Sequence, residues 1–571
     1  VGIDYQVSSE GKRNMDGDGA YVGASAIVPG VLFKSMQHGI IGRSENQGQS
    51  FESFYQFNRM DPQYVSGGNT QAFSEFVTPF ELWESRNDQN STDSIKWKLQ
   101  DISRSFGFAT QNDTATRGTM VRPQPGAIFI PDSFRVRHGA LELVSDGNGN
   151  LTGDGTGSFD AATGSFVARF NRYFNLEVTA RCDIRYNAGA VVTINSTSKS
   201  VPFDYTLSQG LASGDSVYVK DIIQGAFFVG LRTRTGFVGN TLGGVWMTRK
   251  PFDFTTEQPE WWHIAALGIG NAVTCMDVSK DGDNLWFGTT DGRIIRISNL
   301  NQARSRTTAD IDNNNPSLVT TTLIAGTYAL EPTSIAVDPN NPNRVMITLG
   351  NYSSSPHVFF SNNSMSASPT FLSKQGDLPP MPVYGSIINV FNGAQAVIGT
   401  EFGVYTTDDI NAASVSWTQE NNGLGNIPVF MVKQVVENRG SVAGDTVYQG
   451  HIDLATHGRG FVRSTNLVQM NPIGVRENQI PSSTAAVSSA LLIYPNPAKD
   501  YITVDVELAT RGDVSLVVYD MNGREMRRLN AKNINRGESS LVMNLYNLSS
   551  GNYVIRAEGP GFSKAGRLLV K

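Results

Sequence analysis

The architecture is encoded most clearly by Ala396-Val397-Ile398-Gly399-Thr400, which is followed by Gly403-Val404-Tyr405-Thr406-Thr407-Asp408-Asp409 and then by Val415-Ser416-Trp417. An apolar strand closes on Gly-Thr, a second strand follows, an acidic turn comes next, and a tryptophan ends the unit. Such a unit cannot bury its apolar faces alone, so further copies are expected along the chain.

The turn phrase of this unit recurs elsewhere. The best second copy is Gly42-Arg43-Ser44-Glu45-Asn46-Gln47-Gly48-Gln49-Ser50-Phe51, and degenerate copies lie at 82–97, 244–261 and 358–371. Apolar runs typical of buried strands precede several of these turn phrases. In the best-preserved stretch the phrases repeat about every 45 to 50 residues, which is within the range for propeller blades. The turn positions that define the motif are Ser44, Asn46, Gly48, Phe51, Asp408 and Trp417.

These phrases resemble the Asp-box (BNR) β-propellers, a group that includes sialidases, sortilin-type receptors and two-propeller xyloglucanases. Most copies depart from the full Ser-x-Asp-x-Gly-x-x-Trp pattern. The resemblance implies that the box residues tie a turn between the outer strands of a blade and have a structural role. About seven blade units are predicted, near residues 11–60, 74–100, 217–265, 270–315, 330–375, 383–425 and 427–466. The first unit shows no clear upstream partner strand, which suggests a chain that was once longer.

The excess between the second and third units is too long for a loop in a compact domain. Alternating strands within it predict an inserted β-sandwich-like domain. The fold class is therefore all-β, with domains expected at 1–100 for the first blades, 101–215 for the insert, 216–470 for the remaining blades, 471–490 for a polar linker and 491–571 for a terminal immunoglobulin-like β-sandwich.

The terminal 491–571 segment has its own strand and turn signals. Pro495 and Pro497 fix φ and withhold amide donors, so a helix cannot begin there. Val514 to Tyr519 alternates with a period of two, and Asn522-Gly523 supplies the positive-φ residues of a tight hairpin turn. A self-contained all-β module is expected.

This segment resembles the C-terminal sorting domain of type IX (Por) secretion cargo. The resemblance implies export through the inner membrane and periplasm to a Gram-negative cell surface, and binding by the outer-membrane translocon, its shuttle protein and a sortase-like enzyme. Because the tail is intact to Lys571, we expect a molecule caught before sorting or one that escapes cleavage. The motif residues are Tyr494, Pro495, Asn496, Pro497, Asn522, Gly523, Arg524, Gly551, Tyr553 and Lys571.

Composition narrows the classes of partner. The formal net charge of -6 over 571 residues gives no basic stripe, so nucleic acid and anionic membranes are not expected partners. No apolar run reaches the roughly 18 residues that a spanning helix needs. Cys182 and Cys275 are either two buried free thiols or a single bridge between distant parts of the chain.

Candidate chemistry is sparse. A glycoside hydrolase would need two carboxylates facing one cleft, and Asp338, Glu401, Asp408 and Asp409 lie near strand ends, although turn capping explains each of them. Sialidase activity is not expected, because no Phe-Arg-Ile-Pro segment occurs. Two further segments stand out in the sequence. Trp261-Trp262-His263 could stack sugars or pack a blade, and His457-Gly458-Arg459-Gly460 is expected to close the last blade.

Asp146, Asn148 and Asn150 resemble the start of a calcium loop, but Leu151 and Gly157 break that pattern and a plain loop is the alternative. No other metal or cofactor is expected. The sequence therefore predicts a secreted propeller that acts as a binding or adhesion scaffold for an extracellular glycan or protein. A polysaccharide-degrading hydrolase and a structural subunit of a surface assembly are the alternatives.

Overall fold

The computed structural model describes residues 5–7, 19–36, 41–54, 76–107, 115–172, 177–232, 243–255, 259–268, 270–303, 319–326, 328–437, 449–464, 491–494, 496–508, 511–520, 524–534, 537–545, 548–559 and 562–570. The chain divides into two compact units, Val1–Ile473 and Gly474–Lys571. The predicted 471–490 linker lies outside the described residues.

In its described residues, the first unit contains the strands that form the repeated sheets and a single short helix, α1 (Leu300–Ala303). These strands are β1 (Tyr5–Val7), β2 (Gly19–Ala24), β3 (Leu32–Met36), β4 (Ile41–Ser44), β5 (Glu52–Ser53), β6 (Phe80–Ser85), β22 (Gln224–Leu231), β23 (Gly244–Thr248), β24 (Trp262–Ala266), β25 (Val273–Val278), β26 (Asn284–Thr289), β27 (Ile294–Ser298), β28 (Thr320–Ala325), β29 (Pro332–Val337), β30 (Val345–Leu349), β31 (Val358–Ser361), β32 (Leu372–Ser373), β33 (Val383–Ile388), β34 (Ala396–Thr400), β35 (Gly403–Thr407), β36 (Thr418–Gln419), β37 (Val429–Gln434), β38 (Ile452–Thr456) and β39 (Gly460–Ser464).

These strands form six four-stranded antiparallel sheets within the described part of the first unit, which we call blades 1 to 6. The innermost strands contact one another from blade to blade, as expected around a propeller channel. Listed from the inner to the outer strand, the blades are β2-β3-β4-β5, β6-β22-β23-β24, β25-β26-β27-β28, β29-β30-β31-β32, β33-β34-β35-β36 and β37-β38-β39-β1.

The second and third strands of blades 2 to 5 are mostly buried because each of these blades is covered on both faces by its neighbours. In blade 6, by contrast, the third strand β39 is largely exposed. β30, β34 and β35 are buried at every position. Their sequences are short continuous apolar runs with small residues, the pattern of strands that lie between two packed layers. The hydrophobic cores accordingly lie between successive blades, for example where Met346 and Phe360 of blade 4 meet Ile398 and Trp417 of blade 5.

Blade 2 accounts for the difference between about seven predicted units and six observed sheets. Its inner strand β6 pairs with β22, with Phe227 opposite Leu82. The predicted units 74–100 and 217–265 are therefore two parts of one blade, separated by the insert. The predicted count of about seven blades is not confirmed.

Blade 6 is completed by residues from the two ends of the first unit. β1 pairs antiparallel with β39, with Tyr5 opposite Ser464 and Val7 opposite Val462. The first predicted unit thus does have an upstream strand, but that strand belongs to the last blade. This arrangement closes the ring of blades.

The meander of each blade creates two edges with different connections. The first-to-second and third-to-fourth strand turns lie at one edge, which we call the motif face because the Asp-box-like turns at 45–51, 362–371 and 408–417 belong to it. The second-to-third strand turns lie at the other edge, together with the starts of the inner strands. We call that edge the aromatic face, for the residues described below.

The insert leaves blade 2 between β6 and β22 and has its own strands and a 3-10 turn at Pro131–Ser133. Its strands are β7 (Ser94–Lys98), β8 (Ile102–Phe106), β9 (Ala115–Thr119), β10 (Ile128–Phe129), β11 (Arg135–His138), β12 (Leu141–Ser145), β13 (Asn150–Gly153), β14 (Gly155–Phe159), β15 (Ser165–Phe170), β16 (Val178–Cys182), β17 (Ile184–Tyr186), β18 (Val191–Asn195), β19 (Pro202–Thr206), β20 (Leu211–Ala212) and β21 (Ser216–Lys220).

Most of these strands form an eight-stranded antiparallel sheet in the order β8-β16-β11-β12-β13-β14-β15-β9. The sheet curls until its first and last strands approach, since a Cβ atom added at Gly118 of β9 would lie 2.5 Å from the Phe106 ring of β8. Smaller sheets, β10-β17-β20, β18-β19 and β21-β7, share its core. Phe134 and Phe159 stack in that core, with ring centroids 3.9 Å apart.

The insert lies on the motif face. Its Lys199 ion-pairs with Glu45 in the motif turn of blade 1, and Lys199 Nζ also lies 4.2 Å from the ring centroid of Phe254 in blade 2. Asp93 pairs with Arg249 at 3.2 Å. The insert therefore covers part of the motif face and makes no described contact of this kind with the aromatic face.

The second unit is a sandwich of two antiparallel sheets, β40-β41-β44 and β43-β42-β45-β46. Side chains from both sheets, including Val504, Leu516 and Ile555, fill one core. The predicted alternation in the 514–519 run places Val514, Leu516 and Val518 in this core. The strands are β40 (Leu492–Tyr494), β41 (Tyr501–Leu508), β42 (Gly512–Tyr519), β43 (Glu525–Ile534), β44 (Gly537–Asn544), β45 (Gly551–Gly559) and β46 (Phe562–Val570).

Candidate functional site

The motif turn of blade 1 is closed by its own side chains. The Ser44 hydroxyl donates to Asn46 Oδ1 at 2.8 Å and accepts the amide hydrogen of Gly48 at 2.9 Å. Asn46 Oδ1 also accepts the amide hydrogen of Ser50 at 3.0 Å. Gly48 has a φ of 81°, a conformation that favours glycine. These polar groups satisfy one another, so the turn supports the blade and presents little free chemistry.

Blade 4 repeats the arrangement with different residues. The Ser361 hydroxyl donates to Asn363 Oδ1 at 3.0 Å. The same Asn363 oxygen accepts the amide hydrogen of Thr370 at 2.9 Å. A hydroxyl followed two residues later by an amide or carboxylate side chain is therefore the shared element of these turns.

Blade 5 places Asp409, one residue after the predicted Asp408, in the equivalent position. The amide of Asp409 donates to Thr407 Oγ1 at 3.3 Å, and Asp409 Oδ1 accepts the amide hydrogen of Asn411 at 2.9 Å. Asp408 instead accepts from Gln395 Nε2 at 3.1 Å. Asp408 thus lies beside the capping position.

The aromatic ends of these turns pack against their own blades. Trp417 is buried, and its indole N–H donates to the carbonyl of Lys374 at 2.9 Å. Phe51 is half-buried beneath Lys34, whose Nζ lies 3.2 Å from the ring centroid. The six motif residues therefore lie in structural turns of the motif face.

The channel contains three charged side chains that the sequence analysis did not single out. Lys433 of β37 reaches across the channel to Glu81 of β6, with Nζ and Oε2 2.5 Å apart. Asp277 of β25 accepts the amide hydrogens of Val278 at 2.9 Å and Val337 at 2.7 Å, which ties blade 3 to blade 4. The available signal was an ionisable residue within an inner strand.

The protonation behaviour of this channel cluster follows from crowding. Burial, and next the charge of Glu81, raise the pKa of Asp277 to about 7. Burial would lower the pKa of Lys433, but Glu81 and Asp277 outweigh it and the pKa is raised. Burial also raises the pKa of the nearby Cys275 thiol to about 12. At neutral pH the cluster therefore holds a protonated lysine and, at Asp277, a carboxyl group that is partly protonated.

The aromatic face differs from the motif face in what it exposes. In the described part of the propeller, the largely exposed aromatic side chains all lie at this edge. Their exposed fractions range from 49% for Phe402 and Phe430 to 68% for Tyr352. The set consists of Phe76, Tyr352, Phe402, Phe430 and Phe461.

Blades 4, 5 and 6 bring part of this set together around one carboxylate. The Tyr384 hydroxyl donates to Glu401 Oε2 at 2.6 Å. Partial desolvation and the neighbouring Glu401 carboxylate raise the pKa of both Tyr384 and Tyr352. The ring of Phe430 lies 5.1 Å from that of Tyr384 with the planes at 65°, and His457 lies 5.9 Å from Phe430. We call Tyr352, Tyr384, Glu401 and Phe430 the aromatic corner.

The predicted hydrolase carboxylates do not meet. Asp338 is buried in a turn of the motif face, where it accepts the amide hydrogen of Asn340 at 2.9 Å and pairs with Arg344 at 3.4 Å. Asp408 and Asp409 lie in another turn of that face. Glu401 lies at the opposite edge. Among the described carboxylates, Glu81 and Asp277 in the channel are close enough to interact electrostatically.

The segments 261–263 and 457–460 have different positions in the fold. Trp261 and Trp262 are buried between blades, and His263 stacks on Trp246 at 4.7 Å. The tryptophans are therefore packing residues. The segment 457–460 forms the β38–β39 turn at the aromatic face, and Arg459 Nη1 donates to the carbonyl of Gly423 at 3.4 Å.

The calcium-like segment is the hairpin turn between β12 and β13. Asp146 Oδ1 accepts the amide hydrogens of Asn148 at 2.8 Å and Asn150 at 3.1 Å. Asp146 Oδ2 accepts from the side-chain amide of Asn150 at 2.9 Å. These bonds lower the pKa of Asp146, the bond from Asn150 most. Both carboxylate oxygens serve the turn, and the described residues contain no cluster of three or more His, Cys, Asp or Glu arranged for a metal.

The two cysteines are buried free thiols. Cys182 lies in β16 of the insert and Cys275 in β25 of blade 3. The Cys182 thiol lies 3.3 Å from the carbonyl oxygen of Asp183, and burial raises the pKa of Cys182 to about 11. The bridge that the sequence left open is not formed in this structure.

The described sorting-motif residues join the strands of the second unit. Asn496 donates from Nδ2 to the carbonyl of Arg567 at 2.7 Å and accepts the amide hydrogen of Leu569 at 2.9 Å. Tyr553 is buried, and its hydroxyl donates to the carbonyl of Ser549 at 2.7 Å.

The remaining motif residues are at strand ends or outside the described residues. The amide of Arg524 donates to Asp520 Oδ1 at 2.9 Å where β42 and β43 meet. Tyr494 ends β40, Gly551 begins β45, and Pro497 follows a cis peptide bond. Those that lie outside the described residues are Pro495, Asn522, Gly523 and Lys571.

Membrane-spanning helices are not found among the described residues, because none of their helices has the necessary length and apolarity.

Comparisons with known proteins give one family match and several weak structural likenesses. Residues 492–571 match the model of the secretion system C-terminal sorting domain. No curated protein matches the chain.

Three solved structures illustrate the likenesses of the whole chain. PorZ, a surface component of the type IX secretion system of Porphyromonas gingivalis, is 11% identical over 95% of this chain and 74% of that chain, with a TM-score of 0.29. The GH74 enzyme of Niastella koreensis is 12% identical over 97% of this chain and 73% of that chain, with a TM-score of 0.26. YCF48 from Cyanidioschyzon merolae is 6% identical over 81% of this chain and 99% of that chain, with a TM-score of 0.32.

Because these TM-scores are low, the propeller fold is assigned from the six sheets of this chain and not from these likenesses. The family match, by contrast, covers the whole second unit from β40 onward and includes the residues that join its strands. The protein therefore ends in a type IX secretion C-terminal sorting domain, which directs its export and its attachment at the cell surface.

Proposed function

We propose that the protein is a cell-surface binding scaffold whose ligand, an extracellular glycan or protein, docks on the aromatic face. The observation that carries this proposal is the concentration of exposed aromatic side chains at one edge of the propeller. Large exposed aromatic groups are costly in water and are enriched where proteins bind ligands. The rigid blades hold them in fixed positions, so little entropy is lost on binding.

The distribution of the rest of the chain supports this choice of face. The insert lies on the motif face, and the motif turns there are satisfied by their own hydrogen bonds. The aromatic face has half-exposed rings from three consecutive blades beside a carboxylate. An adhesion role needs an exposed surface of this kind that other parts of the propeller and the insert do not cover.

The test is binding of the purified full chain to the surface polymers and proteins of its natural habitat, measured by retention on immobilised fractions. Replacing Phe402, Phe430 and Phe461 together with alanine should abolish retention. The matched control is Tyr218→Ala, which removes an aromatic side chain that is 70% exposed on the insert. Equal loss in both variants, or full retention by the triple variant, would contradict the proposal.

A second candidate function is glycoside hydrolysis in the channel. It is favoured by the two neighbouring carboxylates, of which Glu81 is paired with Lys433 while the pKa of Asp277 is raised to about 7. A pair of carboxyl groups in contrasting environments suits acid and base roles. Release of reducing ends from soluble polysaccharides by the wild type, lost in both Glu81→Gln and Asp277→Asn, would support this function over simple binding.

The third alternative, a subunit of a surface assembly, is tested with the same preparation. Light scattering of the full chain during size-exclusion chromatography would show a defined oligomer if this role holds. A monomer at concentrations of tens of micromolar would count against it.

We further propose that segment 491–571 is bound by the translocon, its shuttle protein and a sortase-like enzyme. The family match supports an interaction with the secretion machinery. Deleting this segment should leave the propeller in the periplasm, and cell fractionation with crosslinking to the 491–571 segment would identify the components. Export that continues without the segment would overturn the proposal.

A further inference from the structure

The Glu401 carboxylate has no cationic partner among the described residues. Its described polar partners are phenols, with the Tyr384 hydroxyl at 2.6 Å and Tyr352 close by. Phenol groups donate hydrogen bonds to a carboxylate without cancelling its charge. Among the described residues, no lysine, arginine or histidine nitrogen lies within ion-pair distance of Glu401, whereas Glu81, Asp338 and Asp453 all have such a partner.

The rings around Glu401 stand at steep angles to one another. The planes of Tyr384 and Phe430 meet at 65°, and the exposed ring of Tyr352 approaches the same carboxylate. Aromatic faces carry negative quadrupole charge and attract cations that lie within about 6 Å of the ring centroid. The exposed rings of Tyr352 and Phe430 and the Glu401 carboxylate therefore place negative potential on the same part of the aromatic face.

We propose that the aromatic corner is a recognition site for an ammonium group, most directly the side chain of a lysine exposed on a partner protein. This inference rests on the proposed binding function and specifies its ligand. Charge complementarity selects this occupant over a neutral sugar, because stacking on rings would not require a carboxylate that lacks a cationic partner. Two or more ring contacts and one ion pair would fix the ammonium group in orientation as well as in position.

The experiment uses the purified full chain and a fluorescent peptide of alternating glycine and lysine, followed by fluorescence anisotropy at low salt. The comparison peptide has every lysine acetylated, which keeps the length and removes the charge. We expect the lysine peptide to bind and the acetylated one to bind at least about tenfold more weakly. Equal binding of the two peptides would overturn the inference.

Variants locate the site. Glu401→Gln should weaken binding of the lysine peptide about fivefold, and Phe430→Ala should have a similar effect. Asp204→Asn is the control, because it makes the same change in net charge on an exposed residue of the insert. If Asp204→Asn and Glu401→Gln weaken binding equally, the peptide is attracted by net charge alone and the inference falls.

Failure of the ammonium site and failure of the proposed binding function give different results. Loss of surface retention in the triple phenylalanine variant, combined with unchanged retention and peptide binding in Glu401→Gln, would keep the scaffold and overturn the ammonium site. Retention that is competed by a neutral oligosaccharide and not by the lysine peptide would do the same. Full retention by the triple variant would overturn the scaffold itself.

Discussion

The two faces of the propeller are made from the same blades but use their polar groups in opposite ways. On the motif face, Ser44, Asn46 and Gly48 satisfy one another within a single turn, and equivalent turns occur in blades 4 and 5. On the aromatic face, Glu401 is held by phenols beside exposed rings. Residues that recur in the repeat therefore hold the turns of the blades together, whereas the residues of the proposed binding face differ between repeats.

If the motif-face residues maintain the blades, removing one of them should destabilise the propeller. The largest effect is expected for Trp417→Ala, because it removes a buried indole and leaves a cavity and an unpaired carbonyl at Lys374. We expect the free energy of unfolding of the propeller to fall by about 3–5 kcal/mol, measured by urea denaturation. Phe461→Ala is the matched aromatic control, and a loss of the same size in that variant would contradict the distinction between the faces.

The channel between the faces should respond to pH. Since the pKa of Asp277 is raised to about 7 from 3.8, the folded state holds this proton more tightly than the unfolded state. The stability it contributes is therefore lost as pH rises from about 4 to about 7. The stability of the wild type relative to Asp277→Asn should fall over this range by on the order of 1–2 kcal/mol.

Urea denaturation of both proteins at pH 5 and pH 7 would measure this difference. The groups facing Asp277 are Glu81, Lys433 and Cys275. A stability difference that is independent of pH would show that Asp277 is ionised throughout.

A single hydrogen-bonded turn should have a smaller effect. Ser44→Ala removes the hydroxyl that donates to Asn46 and accepts from Gly48. We expect a loss of about 1 kcal/mol in the free energy of unfolding, with ligand binding unchanged. Ser53→Ala, an exposed serine in the same blade, is the control and should be neutral.

The smallest effect on stability is expected on the aromatic face. Phe402→Ala removes a half-exposed ring and should change the free energy of unfolding by less than about 0.5 kcal/mol. The same variant should weaken ligand binding, measured by retention on the immobilised fraction. A stable variant with unimpaired binding would remove Phe402 from the proposed site, and a destabilised one would make this ring part of the blade core.

The parts of the fold that the sequence predicted are those encoded locally. Buried strands such as β30 and β34 are mostly apolar runs, and the turn at 44–51 carries its own hydrogen-bonding residues. The assignment of strands to blades failed where pairing is distant in sequence. β6 and β22 are partners across the whole insert, and β1 pairs with β39. The length of the connection between two strands does not show whether those strands pair with each other.

The candidate sites show the same limit. Glu401 was visible as a carboxylate near a strand end, but its meeting with Tyr384 and Phe430 depends on how blades 5 and 6 pack. Glu81, Asp277 and Lys433 come from three blades, and the sequence did not identify them as candidate site residues. Charged residues within the inner strands were the trace that they left in the sequence.

The pairing of β7 with β21 has a consequence for assembly. These strands join the entrance and exit of the insert, with Ser94 opposite Lys220, and the amide of Asp88 donates to the carbonyl of Ile222 at 2.9 Å just beyond them. Once folded, the insert holds β6 and β22 side by side, so the connection behaves entropically like a short hairpin. Blade 2 can therefore form late and at little cost, and the insert could be exchanged for another module whose ends are equally close.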